Sequence, residues 1–123
     1  MSDALDLATW HPWAGFLAAA ATHPEATALE IGDEHWSYMA LGDLAGRIAQ
    51  VLLTLPDRER VAVLASRSLT TYAGSLAVFA AGAAHVALNP SHPPARNAAI
   101  LRKAGVRMGI WTPMPGGVMR WFD

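Results

Sequence analysis

The chain has 123 residues, the length of one modest domain, and 53% of them are apolar, enough to bury a real core. Its formal charge is −1 and its nine basic residues are scattered, which leaves no electrostatic footprint for nucleic acid. The absence of cysteine excludes disulfides, thiolate metal sites and cysteine nucleophiles.

The first residues, Met-Ser-Asp-Ala-Leu-Asp, carry acids where a secretory signal carries bases, and the apolar run 14–21 is too short to span a bilayer. A soluble, cytoplasmic protein without a membrane partner is the expectation. After a lead over 1–12, Phe16, Leu17 and Ala20 fall at helical spacing and predict a helix over 13–22, stopped by His23-Pro24. Segments 28–31 and 35–37 flank Gly32-Asp33, a two-residue glycine turn that predicts an antiparallel hairpin. Ser37 then caps a second helix with Leu41, Leu44, Ile48, Val51, Leu52 and Leu55 on one stripe and Asp43, Arg47 and Gln50 facing away; Pro56-Asp57 ends it.

A buried strand is predicted over 61–65, followed by a helix capped by Ser68 and running to about Ala81. In that helix Leu69, Tyr72, Leu76 and Phe79 share one side, while Ala73, Gly74, Ala77 and Ala80 let the backbone sit close to a sheet. Gly82 ends it in the left-handed position. The run 84–88 is nearly all apolar, as expected of a strand covered by helices on both faces, and Asn89-Pro90 closes it. Pro94 fits the first turn of a helix through Ala104, where a missing N–H costs nothing; Gly105 terminates it before a strand over 108–112. Residues 113–117 read as a loop, and 118–123 are too few to cross back to another parallel strand. The elements predict an α/β fold: a three-layer unit with a short parallel sheet of about three strands, right-handed crossover helices and a small N-terminal hairpin.

The segment Ala81-Gly-Ala-Ala-His-Val-Ala-Leu-Asn-Pro90, followed by Pro93 and Arg96, resembles the second motif of the adenylate-forming (AMP-binding) enzymes: nonribosomal peptide synthetase adenylation domains, acyl-CoA synthetases and luciferases. Upstream and in the same order, Trp36-Ser-Tyr-Met-Ala-Leu41 is similar to the family's first motif, and Val61-Ala-Val-Leu-Ala-Ser-Arg-Ser-Leu69 to its next strand and helix start. Three motifs in order carry a weight that any one lacks. The resemblance spans about residues 13–112, taken as a partial N-terminal subdomain, with 113–123 as a tail. Three positions depart from the pattern: His85 replaces an aromatic, Ala87 a proline and Asn89 a frequent aspartate. Asn there is shared with acyl-CoA synthetases, so the substrate acid stays open.

The resemblance implies ATP-dependent joining of a carboxylate to the α-phosphate, which needs donors for migrating negative charge and a Mg ion. In the family these come from a Ser/Thr/Gly-rich loop ending near Pro-Lys, later acidic and arginine positions, and a lysine in a mobile C-terminal lobe. None stands in this sequence. Gly116-Gly117 lacks flanking hydroxyls and a lysine and reads as a turn, and Lys103, the single lysine, as a solvated surface residue. His85 reads as a packed, hydrogen-bonded histidine rather than a base. His11, His23, His35 and His92 are isolated, against a zinc site. Trp10, Trp13, Trp36, Trp111 and Trp121 divide between core filling and contacts outside the chain.

Tyr38, Leu41, Arg67, Gly82, Leu88, Pro90, Pro93 and Arg96 match motif positions and are read as structural, with Arg67 and Arg96 bracing helix starts or loops rather than phosphates. No catalytic, cofactor-binding or metal-ligating residue is assigned. The expectation is an N-terminal piece of a split or truncated adenylation enzyme, a ligase completed by a partner chain and possibly served by a carrier protein; this chain holds no cofactor alone, and ATP and Mg belong to the completed enzyme. A non-catalytic interaction or regulatory module derived from an adenylation domain is the alternative.

Overall fold

A computed structural model describes residues 11–110 and the backbone of 118–120. Helix α1, Pro12–Thr22, begins where His11 accepts a hydrogen bond at Nδ1 from the Trp13 amide (3.2 Å), supplying a cap beside a helix-starting proline. Strands β1 (Thr27–Ile31) and β2 (Glu34–Ser37) form the expected antiparallel hairpin around Gly32, whose φ of +59° suits glycine. Two amides tie α2 to the turn before the hairpin: Tyr38 donates to Ala26 (3.0 Å) and Met39 to Pro24 (3.0 Å).

Helix α2, Tyr38–Leu53, starts on Ser37, whose Oγ accepts from the Ala40 amide at 3.0 Å. Its buried stripe is Leu41, Ala45, Ile48, Ala49 and Leu52, so Val51 corrects the expected stripe: it is 46% exposed. At about 100° per residue the stripe centres on Ala45 and Leu52, and Val51 lies roughly 100° from Leu52. Ala45 and Ala49, smaller than the leucines and valine of the helix, mark its close-packed face. Thr54 caps the C-terminus, and Asp57 turns the chain in the left-handed region (φ 59°), which Asp tolerates.

Strand β3 (Arg60–Leu64) lies inside the sheet. Helix α3 (Leu69–Ala80) follows, then β4 (Ala84–Leu88), helix α4 (Pro94–Ala104), β5 (Met108–Ile110) and β6 (Val118–Arg120). The sheet order is β4-β3-β5-β6; β3 is parallel to both neighbours, while β6 runs antiparallel to β5. The three parallel strands β4, β3 and β5 are the expected parallel sheet, and β6 adds a fourth strand antiparallel to β5, the intervening stretch being too short for a parallel crossover. That connection, the predicted end of β5 at 111–112 and the loop over 113–117 lie outside the described residues, as do Trp10, Trp111 and Trp121.

Successive side chains of β3 point to opposite faces. Val61 and Val63, with Met108 and Ile110, meet α2 and α3; Ala62, with Leu88 and Val106, meets Ile100, Leu101 and Ala104 of the α4 layer. This is the three-layer α/β unit, with a core on each sheet face.

One expectation is corrected in β4. Its run was read as buried on both faces, yet Ala84 and Ala87 are exposed and only Leu88 is buried. Among the described residues β4 pairs with β3 alone, so it is an outer strand. The fully buried run is β3, with Val61, Ala62 and Val63 at 0–1% exposure.

Candidate functional site

Open α/β sheets bind ligands beyond the carboxyl ends of their strands, and here those of β3 and β4 meet, with the Ala65 amide donating to the Leu88 carbonyl at 2.7 Å. After β3, Ser66, Ser68 and Thr71 gather their hydroxyls. Ser66 Oγ lies 3.0 Å from both Ser68 Oγ and Thr71 Oγ1, Ser68 Oγ donates to Thr71 Oγ1 (3.1 Å), and Thr71 Oγ1 donates to the Leu64 carbonyl (2.9 Å). Ser68 also accepts from the Thr71 amide, making the cap predicted for α3. The three hydroxyls are turned on one another and on the backbone, which locks the strand-to-helix turn. Arg67, between Ser66 and Ser68 in sequence, is exposed.

After β4, Asn89 Oδ1 accepts from the Ser91 amide (2.8 Å), and the Asn89 carbonyl accepts from the His92 amide (3.1 Å) and Asn97 Nδ2 (3.0 Å). An Asx turn thus lashes the start of α4 to the end of β4. Pro90, Pro93 and Arg96 are exposed, Pro93 in the cap position of α4 and Arg96 with its amide on the Pro93 carbonyl (3.0 Å). His92 Nδ1 and Asn97 Oδ1 are buried here without hydrogen-bond partners among the described residues.

Of the other motif residues, Tyr38, Leu41 and Gly82 lie apart from this edge, whereas Leu88 ends β4 at it. Tyr38 opens α2 with its ring 5.5 Å from Phe16, and Leu41 is buried in the core. Gly82 takes φ +73° just after α3, where the Ala83 amide donates back to the Val78 carbonyl (3.0 Å). Leu88 is 5% exposed, packed with Ala62 and Val106. The structure therefore spreads the eight residues along a chain path rather than converging them on one centre.

His85 stands on the α3 side of the sheet, register partner of Val61. Its Nε2 lies 3.0 Å from Ser75 Oγ, its ring stacks on Phe79 at 5.6 Å and 21°, and burial pushes its pKa below the ordinary 6.5. The Ser75 contact was not legible in the sequence, because it depends on how α3 sits over β4. Among the described residues no acidic side chain is placed on this histidine to complete a hydrolytic triad. Among the described residues, no three His, Asp or Glu gather as metal ligands, Lys103 is exposed at the end of α4, and His35 is engaged by Glu30 across the hairpin (3.1 Å).

A groove with a volume of about 340 Å³ opens between α1, the hairpin, α2 and α3. Tyr72, Leu76 and Phe79, expected on the apolar side of α3, line it, while Ala73, Gly74 and Ala77 form the buried face.

Known proteins share this fold. The family model described as AMP-binding enzyme matches residues 16–116. A nonribosomal peptide synthetase of Alternaria alternata is 42% identical over 84 residues, 67% of this chain and 9% of that protein. Surfactin synthase subunit 1 of Bacillus subtilis is 35% identical over 95 residues, 76% of this chain and 3% of that protein. The chain thus spans a small part of the curated relatives it matches. Among solved structures, the NpsA N-terminal subdomain of Klebsiella oxytoca superposes with a TM-score of 0.74 at 28% identity, over 87% of this chain and 29% of that one. The same subdomain in complex with 3-hydroxybenzoyl-AMSN gives 0.76 at 26% identity, over 91% and 30%. No helix among the described residues is long and apolar enough to cross a membrane. With a match over most of its length and the same layered fold, this chain belongs to the AMP-binding enzyme family and corresponds to an N-terminal segment of it.

Proposed function

We propose that this chain is the scaffold portion of an adenylate-forming, carboxylate-activating ligase, residues 13–112 being part of its N-terminal subdomain, with a partner chain carrying the rest. The observation that carries this reading is the match over residues 16–116 to a family whose solved N-terminal subdomain is more than three times the length this chain covers. The hydroxyls and amides at the carboxyl edge of its sheet are spent on holding turns. Tyr38, Leu41, Gly82, Leu88, Pro90 and Pro93 shape the path, and Arg67 and Arg96 brace the edge. ATP and Mg are bound by the completed enzyme, whose likeness to nonribosomal peptide synthetases favours an amino-acid or related carboxylic-acid substrate, a carrier protein as acceptor and the cytoplasm as its place.

The test is ATP–pyrophosphate exchange with a panel of amino and aryl acids, using this chain, a chain carrying the remainder of an adenylation domain, and their mixture. Exchange in the mixture alone is the expected result. Full exchange by this chain by itself overturns the proposal, and a stable complex without exchange replaces it with a non-catalytic interaction module.

A further inference from the structure

We propose that two copies of this chain pair antiparallel along the outer edge of β4, about a two-fold axis through Val86. Among the described residues β4 is bonded to β3 alone, and Ala84, Val86 and Leu88 turn their peptide groups inward to that neighbour. The N–H and C=O groups of His85 and Ala87 therefore face outward. The edge carries none of the features that guard a strand against pairing: the run 82–90 holds no charged residue, β4 itself holds no proline, and its register with β3 is unbroken. With a formal charge of −1, the chain offers little repulsion to a second copy.

The edge is complementary to itself. Antiparallel alignment about Val86 sets His85 of each copy opposite Ala87 of the other, and each such pair exchanges both of its N–H···O bonds. Every outward peptide group of the strand is then satisfied. Two-fold alignments centred on His85 or on Ala87 would instead call on Ala83 or Asn89. The Ala83 amide is already bonded to the Val78 carbonyl (3.0 Å), and the Asn89 carbonyl to the His92 amide and Asn97 Nδ2. Side-chain size selects the same register. Opposed residues project to the same sheet face, so the half-buried His85 ring, stacked on Phe79, lies beside the small, exposed Ala87 of the second copy. Centring on His85 would set the two rings against each other. A self-matching contact of this kind closes as a dimer and leaves no β4 edge open.

The chain contains no cysteine, so a single introduced cysteine forms a disulfide only between chains. Val86→Cys places it on the axis, where the facing Cα atoms lie about 4.5 Å apart, within disulfide reach. Ala84→Cys is the control: it is the more exposed position, yet the pairing separates its two copies by about 13 Å. On mild oxidation of the full chain, Val86→Cys is expected to cross-link at least about tenfold faster than Ala84→Cys. The unaltered chain is expected to have the mass of a dimer by size-exclusion light scattering. Ala87→Pro removes one outward donor from each pair while leaving the bonds to β3 intact, and is expected to raise the dimer dissociation constant at least about tenfold. Equal cross-linking rates, or a dimer untouched by Ala87→Pro, overturn the proposal in favour of another face. A monomer at every concentration also overturns it, and one that associates only with a chain carrying the remainder of an adenylation domain overturns it in favour of a strand of that partner. None of these measurements involves ATP exchange, so the result stands apart from that of the enzymatic assay.

Discussion

His85 shows how a single side chain is constrained by its surroundings at the sheet margin. Stacked on Phe79 and hydrogen-bonded to Ser75, it is held neutral by burial, with its pKa below 6.5. The unfolded chain takes up a proton there at higher pH than the folded chain does, so unfolding is coupled to proton uptake as the solution is acidified. The stabilising contribution is complete above about pH 6.5 and drains away as the pH falls through the lowered folded value. The melting temperature is therefore expected to fall between about pH 7.5 and about pH 5.5, and less steeply in His85→Phe, which keeps the aromatic stack. An identical pH slope in the two proteins counts against this role. The histidine's packed character was legible from the apolar residues beside it in sequence, whereas Ser75 as its partner was not, since the two are brought together only by the packing of α3 against β4.

Two glycines in helices test how closely elements approach. On Gly74 of α3 an added Cβ lies 2.9 Å from Ile110 Cγ2, 3.3 Å from Cδ1 and 3.5 Å from Cβ, so the helix rests on the strand with no room for a methyl group. On Gly46 of α2 an added Cβ meets nothing within 4 Å. Gly46→Ala is expected to stabilise the fold by about 0.5–1 kcal/mol through helix propensity. Gly74→Ala gains the same propensity but must displace a branched, buried side chain, and a net loss on the order of 1 kcal/mol is expected. Denaturant titration of both variants decides the matter; stabilisation by both means the contact at Ile110 relaxes freely. The stripe of small residues on α3 foretold a close approach. Which strand it met depended on β5 lying beside β3, a pairing between segments far apart in sequence.

At the scale of the whole molecule, β4 is an outer strand of the sheet among the described residues. Its register with β3 and the bonds from the Ala84 amide to the Glu59 carbonyl and from the Ala65 amide to the Leu88 carbonyl turn alternate peptide groups inward, leaving those of His85 and Ala87 facing outward. An apolar edge of this kind templates further strand pairing. Ala87→Lys, at an exposed position, is expected to reduce concentration-dependent association measured by light scattering; unchanged scattering places association elsewhere. The order of elements, the glycine and serine punctuation at Ser37, Ser68, Gly82 and Gly105, and the family motifs were determined by the sequence, because capping, turn chemistry and periodicity act over a few residues. The sheet order, the outer place of β4, the antiparallel return of β6 and the groove beneath Tyr72 and Phe79 were decided only by the tertiary structure. Strand neighbours and helix-to-sheet contacts join residues distant along the chain, and an apolar run reads the same locally whether its strand lies at the centre of a sheet or at its edge.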